Sequence, residues 1–263
     1  MECKVCSGKS LPLATARILS KHDIGYFRCA SCGFVQTEKP TWLAEAYSEA
    51  ISRTDIGLIR RNQELVRMLK VMLPLIAEPG ATFLDFGGGT GMLVRMMRDE
   101  GFDFRWLDAY CENQFAQDFE AQPGTAFELL TAFEVLEHFE EPREALREMM
   151  QHSGQVLLGT YLLPEPCPKP GDWWYYGLDH GQHISLFSRA ALESLAAGAG
   201  ARLYTNGVNL HLIARRPVPE WRFRLANRKA AQALLAPLFR RQSLLQDDFS
   251  HSIRQLSSKA GKP

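Results

Sequence analysis

Between Phe83 and Gly91 the chain reads Phe-Leu-Asp-Phe-Gly-Gly-Gly-Thr-Gly. An amphipathic run, Met92-Leu93-Val94-Arg95-Met96-Met97-Arg98, follows at once and stops at Gly101. An apolar run, a glycine turn and a helical period predict strand, turn and helix. A backbone that passes from strand to helix within a few residues needs φ values that only glycine takes cheaply. The missing side chains also let backbone N–H groups and the helix N-terminus touch a ligand. The stretch therefore predicts an α/β fold with a ligand at this turn.

Spacing separates two ligand classes. Nicotinamide enzymes favour G-x-G-x-x-G, whose last glycine serves close helix packing. Here the pattern is D-x-G-x-G-x-G, on Asp85, Gly87, Gly89 and Gly91. It resembles motif I of the class I S-adenosylmethionine (SAM) methyltransferases. That resemblance implies a second strand ending in an acid that binds the ribose hydroxyls, and Phe104-Arg105-Trp106-Leu107-Asp108 supplies one. The implied cofactor set is Asp85, Gly87, Gly88, Gly89, Asp108 and Ala109, with Asp118 or Phe119 at the adenine and Phe133 and Glu134 beside the methionine part.

An apolar content of 46% and a charged content of 23% are ordinary for a soluble globular protein. No run approaches the roughly 18 apolar residues of a membrane helix, and residues 1–10 lack a signal-peptide core. A cytoplasmic location is expected. Net charge is zero but uneven. Residues 1–40 hold six Lys/Arg and three acids, residues 215–263 eleven and three, and the middle 13 and 24. An acidic middle argues against a nucleic-acid track, because phosphate binding is driven by Lys and Arg. The basic tail is a solvated helix face or a contact for an acidic partner.

Four of the six cysteines fall in the first forty residues, as Cys3-x-x-Cys6 and Cys29-x-x-Cys32. A reducing compartment argues against two disulfides, and so short a unit needs a staple to fold. Tetrahedral Cys₄ zinc fits, and with no open position it would be structural. Redox dithiols are the alternative, disfavoured because no βαβ pattern surrounds either pair. Pro40 closes this unit.

Residues 41–76 read as helices. Cys111 to Thr125 should hold a helix and a third strand, but only a stub near Phe115–Phe119 can be placed. Phe127 to His138 resembles the fourth strand of class I methyltransferases, followed by Pro142 and a helix over 143–150. Glu137 and His138 either pack the loop or take an acid/base role. Gln155–Thr160 is the fifth strand, and 201–204 and 210–214 are the sixth and seventh, antiparallel as the family implies. The segment Leu162–Gly181 is rich in proline and contains Trp173-Trp174-Tyr175-Tyr176, a composition expected of an acceptor lid. His180-Gly181-Gln182-His183-Ile184-Ser185-Leu186-Phe187-Ser188 comes next, with Ser188 as the N-cap of a helix over 189–197.

That last stretch is similar to bacterial sugar C-methyltransferases with an N-terminal zinc domain, which carry Y-H-E-H-[LV]-x-Y-F-[ST]. His183, Phe187 and Ser188 match, and Gln182 stands where that family has Glu. The expected fold is a doubly wound, mostly parallel, seven-stranded Rossmann-like sheet. The expected divisions are a zinc unit over 1–40, a methyltransferase domain over 41–216 and a basic helical tail over 217–263, dispensable for the fold. The expected activity moves the methyl of SAM to a small polar acceptor, such as a sugar nucleotide or glycan precursor. His183 is the preferred base, then His180 and Tyr176. A non-catalytic protein that docks a partner through the zinc unit and tail is the competing class.

Overall fold

The computed structural model describes residues 1–48 and 55–260; the part of the predicted helical stretch over 49–54 lies outside them. The strands and helices follow in chain order: β1 (Ser10–Ile18), β2 (His22–Cys29), β3 (Val35–Thr37), α1 (Leu43–Ala46), α2 (Leu58–Ile76), β4 (Thr82–Phe86), α3 (Met92–Asp99) and β5 (Asp103–Leu107). Then come β6 (Leu129–Phe133), α4 (Pro142–His152), β7 (Gln155–Gly159), β8 (Ser185–Leu186), α5 (Arg189–Gly198), β9 (Arg202–Thr205) and β10 (Leu210–Ala214). Helices α6 (Glu220–Ala226), α7 (Lys229–Leu235) and α8 (Leu245–Ala260) end the chain.

Six strands form a mixed sheet in the order β5-β4-β6-β7-β10-β9. Strand β4 runs parallel to β5 and β6, and β10 runs antiparallel to β7 and β9. Among the described residues the strand count is one short of the seven expected. In place of a third strand there is a single parallel bridge between Trp106 and Glu120, and no helix forms between β5 and β6. That segment offers turn formers, Gln and Glu, with little apolar alternation to bury. The glycine turn leaves the carboxyl end of β4, where the strand order reverses, the usual ligand position in open α/β sheets.

Backbone contacts divide the chain into two compact units, residues 1–55 with 132–217, and residues 56–131 with 218–263. In the first unit a four-stranded sheet, ordered β1-β2-β3-β8, joins the cysteine-rich segment to the histidine motif. Val35 pairs with Leu186 and Gln36 with Ser185. One core cluster contains Ile18, Tyr26, Trp42, Tyr175, Tyr176 and Ile184. The first forty residues thus fold by sharing a sheet and a core with residues far along the chain. The Ser188 side chain caps α5 as expected, accepting from the Ala191 N–H at 3.0 Å, and donates to the Cys32 carbonyl.

In the second unit α2 buries Val66, Leu69, Met72 and Leu73, and Phe83 packs on Phe104 with ring centroids 5.1 Å apart. The tail belongs to this core, contrary to the expectation that it is dispensable. Phe223 and Ala226 of α6 are fully buried, and α6 packs on α2. Buried Arg98 donates to buried Asp248 of α8 from both Nε, at 2.8 Å, and Nη2, at 2.6 Å. The apolar periodicity of the tail is weak, but this charged anchor compensates for it.

Candidate active site

In the second unit the glycine turn is held from three sides. Gly87, Gly89 and Gly91 take φ of +68°, +54° and +84°, a region costly for other residues. A Cβ on Gly91 would lie 2.7 Å from Asn113 Oδ1, whereas one on Gly89 would meet nothing within 4 Å. Gly89 is therefore bare toward open space, and Gly91 is bare for packing. The Asp108 carboxylate accepts from the N–H groups of Gly89 at 2.8 Å, Tyr110 at 2.7 Å and Cys111 at 2.8 Å. These bonds use three of its about four lone-pair sites. The Trp106 indole donates to Gly89 O at 2.8 Å.

Asp85 is buried at the end of β4 and accepts from Thr131 Oγ1 at 2.7 Å. Burial, opposed by that bond and aided by the Asp108 charge, raises its pKa to about 7. Ala109 is exposed. Phe119 is buried in this unit, with the Arg98 guanidinium 3.9 Å from its ring centroid and the His251 ring at 5.6 Å.

In the first unit β6 ends at Phe133, and Glu134 takes φ of +55°, which is rare outside glycine. Its N–H donates to Gly159 O at 2.7 Å. A Cβ on Gly159 would strike the Phe133 ring at 2.6 Å. The short turn Leu136–His138 then presents Glu137 and His138 side by side. The Ile184 N–H donates to Glu137 O at 3.0 Å, which holds the His183 segment against that turn. The His183 ring lies 4.9 Å from that of His138 and 4.8 Å from that of His180.

Proton positions follow from the partners. His183 Nδ1 donates to the Tyr175 carbonyl at 2.6 Å, so its Nε2 keeps a lone pair. Burial, with the nearby His180, lowers its pKa to about 3. His138 Nδ1 shares a hydrogen with Tyr47 Oη at 2.7 Å, and burial lowers its pKa well below the usual imidazole range. Fully buried Glu137 takes the Tyr175 hydroxyl on Oε1, and its Oε2 has no partner among the described residues. Burial and the charge of Glu134 push that carboxyl well above its usual range. His180 Nδ1 accepts from the Gln182 N–H at 3.1 Å, and a Cβ on Gly177 would fall 2.3 Å from its Nε2.

The segment expected to act as a lid is built into the core of this unit. Tyr175 and Tyr176 are fully buried, and Tyr176 meets Tyr26 edge-on at 5.3 Å. The Tyr176 hydroxyl donates to Pro168 O at 2.8 Å. Buried Gln182 donates through Nε2 to Ala46 O at 2.8 Å. An ionised Glu at position 182 could not make that bond.

A methyltransferase domain family matches residues 58–206. The chain belongs to it. The match gives the chain a class I SAM-dependent methyltransferase domain, and it spans both the glycine turn and the histidine motif. No curated protein matches the chain. Among solved structures it is similar to TnmH, at 19% identity and a TM-score of 0.47 over 68% of this chain. It spans about 62% of that protein's length. It is also similar to the mitomycin 7-O-methyltransferase MmcR, at 18% identity and a TM-score of 0.42 over 66% of this chain and 60% of that one. A third likeness is to the complex of the Haloferax volcanii Trm112 methyltransferase activator and a putative methyltransferase. Identity there is 15% and the TM-score 0.47, over 66% of this chain and 98% of the other. These likenesses add nothing to what the family match establishes.

The chain also carries a candidate metal centre in its first unit, where one sulfur of each of Cys3, Cys6, Cys29 and Cys32 lies within 4.8 Å of the others. The Sγ atoms of Cys3 and Cys32 are 3.7 Å apart and those of Cys6 and Cys29 3.5 Å. These spacings exceed any disulfide and approach the edge of a tetrahedron with metal–sulfur bonds of about 2.3 Å. The Cys32 thiol, bonding toward Cys3, lowers the Cys3 pKa to about 5 against the opposing effect of burial. Among the described residues no helix is long and apolar enough to cross a membrane.

Proposed function

We propose that the chain transfers the methyl of SAM to a small polar acceptor, with a sugar nucleotide or glycan precursor as the substrate class, in the cytosol. The observation that carries this reading is the Asp85–Asp108 turn within the family match: positive-φ glycines, one of them open to space, tied to a carboxylate. When bound, SAM supplies an electrophilic methyl carbon. Gly87, Gly88 and Gly89 leave room for its methionine part, Asp108 offers its remaining lone pair to the ribose hydroxyls, and Ala109 borders that pocket. Phe119 supports the adenine side by holding Arg98 in place.

On the acceptor side we assign the polar wall to His183, whose Nε2 lone pair is uncommitted, with His180 as its neighbour. Tyr176, its hydroxyl given to a carbonyl, serves to hold that wall rather than to move a proton. With a pKa held near 3, His183 stays neutral throughout the physiological range. It can accept a hydrogen bond from an acceptor O–H or N–H but is a weak base on its own. The four cysteines hold one structural zinc. The supporting geometry is the sulfur spacing and the sheet that ties the cysteine segment to β8.

Calorimetric SAM titration, followed by assay for S-adenosylhomocysteine with candidate acceptors, tests the reading. Asp108→Ala should weaken SAM binding by about 1.5–3 kcal/mol, the scale of a charge-assisted bond. Unchanged affinity in a folded variant would remove Asp108 from the cofactor site.

A further inference from the structure

The acceptor-side wall contains more than a hydrogen-bonding histidine. Glu137, His138 and His183 each bring one ligand atom within 4.8 Å of the other two. We infer that these three residues form a second metal site, distinct from the four cysteines, that takes a divalent transition ion such as Zn²⁺ and leaves open positions for an oxygen ligand.

Three independent features point the same way. First, Glu137 is fully buried and its Oε2 has no hydrogen-bond partner among the described residues. A buried, unpartnered carboxylate oxygen is costly, and a bound cation removes that cost. Second, each of the three side chains is oriented by a partner on its other atom. Tyr175 holds both Glu137 Oε1, through its hydroxyl, and His183 Nδ1, through its carbonyl. Tyr47 Oη holds His138 Nδ1. His183 Nδ1–H donates outward, which leaves its Nε2 lone pair for a metal, and His138 offers the same lone pair when its Nδ1 is the donor to Tyr47, the usual way metal-bound imidazoles are held. Third, the bond from Ile184 N–H to Glu137 O fixes the two contributing segments to each other.

The donor set selects the ion class. Two imidazoles and one carboxylate suit zinc and its first-row neighbours rather than magnesium or calcium, and three protein ligands are the pattern of a site that keeps a position for water or substrate. His180 is not a ligand, because its Nδ1 is already an acceptor and its Nε2 faces Gly177. Filling the site would commit His183 Nε2 to the ion. An acceptor oxygen bound there would then lose its proton more readily than one resting on a neutral histidine. The metal site rests on unit-one geometry alone, so it can fail while the SAM assignment stands, and the reverse.

The test uses the full chain, stripped with a chelator and reloaded with Zn²⁺ to saturation. Metal analysis should give a second equivalent beyond the thiolate-bound one, and zinc X-ray absorption should show nitrogen and oxygen neighbours as well as sulfur. Glu137→Gln, nearly isosteric, should lose the second equivalent. The thiolate-to-metal charge-transfer band of the Co²⁺-loaded variant should persist, which reports that the cysteine site and its fold remain. A purely sulfur shell at saturation in the unmodified protein overturns the inference. So does a second equivalent that survives in Glu137→Gln, since that ion would sit elsewhere. The wild-type absorption measurement decides the matter even if the variant does not fold.

Discussion

Asp248→Ala tests how the C-terminal helix is held. Asp248 takes two bonds from the Arg98 guanidinium and a third charged contact, at 2.8 Å, from Arg95. Arg98 is itself buried, and its Nη1 donates to Asp103 and to Phe104 O at 3.0 Å. Removing the Asp248 carboxylate leaves a buried guanidinium with one carboxylate instead of two. Breaking a buried ion pair from one side costs about 3–5 kcal/mol, and the surviving Asp103 contact places the expected loss near the lower end. Asp248→Asn keeps one acceptor and should cost less, while Arg98→Met with Asp248→Leu should recover most of the loss, because a well-packed apolar pair replaces a buried ionic one at little cost. Urea unfolding monitored by circular dichroism at neutral pH measures all three. Burial would raise the Asp248 pKa, but the bonds to Arg98 and Arg95 outweigh it and hold it below the usual range. The stabilisation is therefore present above the unfolded-state pKa of about 3.9 and is lost as pH falls through the folded value. The Asp248→Ala penalty should shrink in acid. A loss under about 1 kcal/mol at neutral pH, or a double variant as unstable as the sum of the single changes, would refute the anchor role.

Other consequences are equally specific. Gly89→Ala should weaken SAM binding at a modest stability cost of about 1–3 kcal/mol, whereas Gly91→Ala should destabilise the fold itself by colliding with Asn113; matched calorimetry and thermal melts separate them. Asp85, with a pKa raised to about 7 against an unfolded value near 4, binds its proton more tightly when folded. Its contribution is thus fullest in acid and falls as pH rises through about 7, and Asp85→Asn should flatten that fall in a pH series of melts. Chelation of the cysteine-bound metal should lower the melting temperature, and Cys32→Ser should do the same without a chelator; an unchanged melting temperature in both would show that no metal supports the fold.

The legible part of the sequence was the part where one local rule dominates. A strand entering a helix through glycines leaves few alternatives, and β4, α3, β5, β7 and α5 lie within a residue or two of where the apolar pattern and the Ser188 cap put them, whereas β6, placed within Phe127 to His138 by the resemblance, covers only Leu129–Phe133. The N-terminal strands were not legible. A sheet whose fourth strand is the two residues Ser185–Leu186 is specified by partners far apart in the chain, and Leu11 to Ile18 alternates too loosely, with an irregularity between Pro12 and Ala14. The tail was misjudged for a related reason. Its apolar stripe is mostly exposed, with Leu234 at 75% and Leu238 at 74%, and the residue that anchors it is an acid whose partner lies 150 positions earlier.

The same long-range logic explains why the cysteine segment and the histidine motif belong to one construction. Strand β3 pairs with β8, directly after His183, and the Cys32 carbonyl accepts from the Ser188 hydroxyl that caps α5. Tyr175 ties Glu137 and His183 together while its ring lies in the core beside Ile18 and Tyr26. A loosened cysteine knuckle would therefore release the α5 cap and the β3–β8 pair together. Chelation of the cysteine site should consequently increase hydrogen exchange at Ile184 to Ala191, at positions remote in sequence from any cysteine ligand. Exchange that increases only over residues 1–37 would show instead that the knuckle is an independent module, and that the shared sheet does not transmit its loss to the histidine motif.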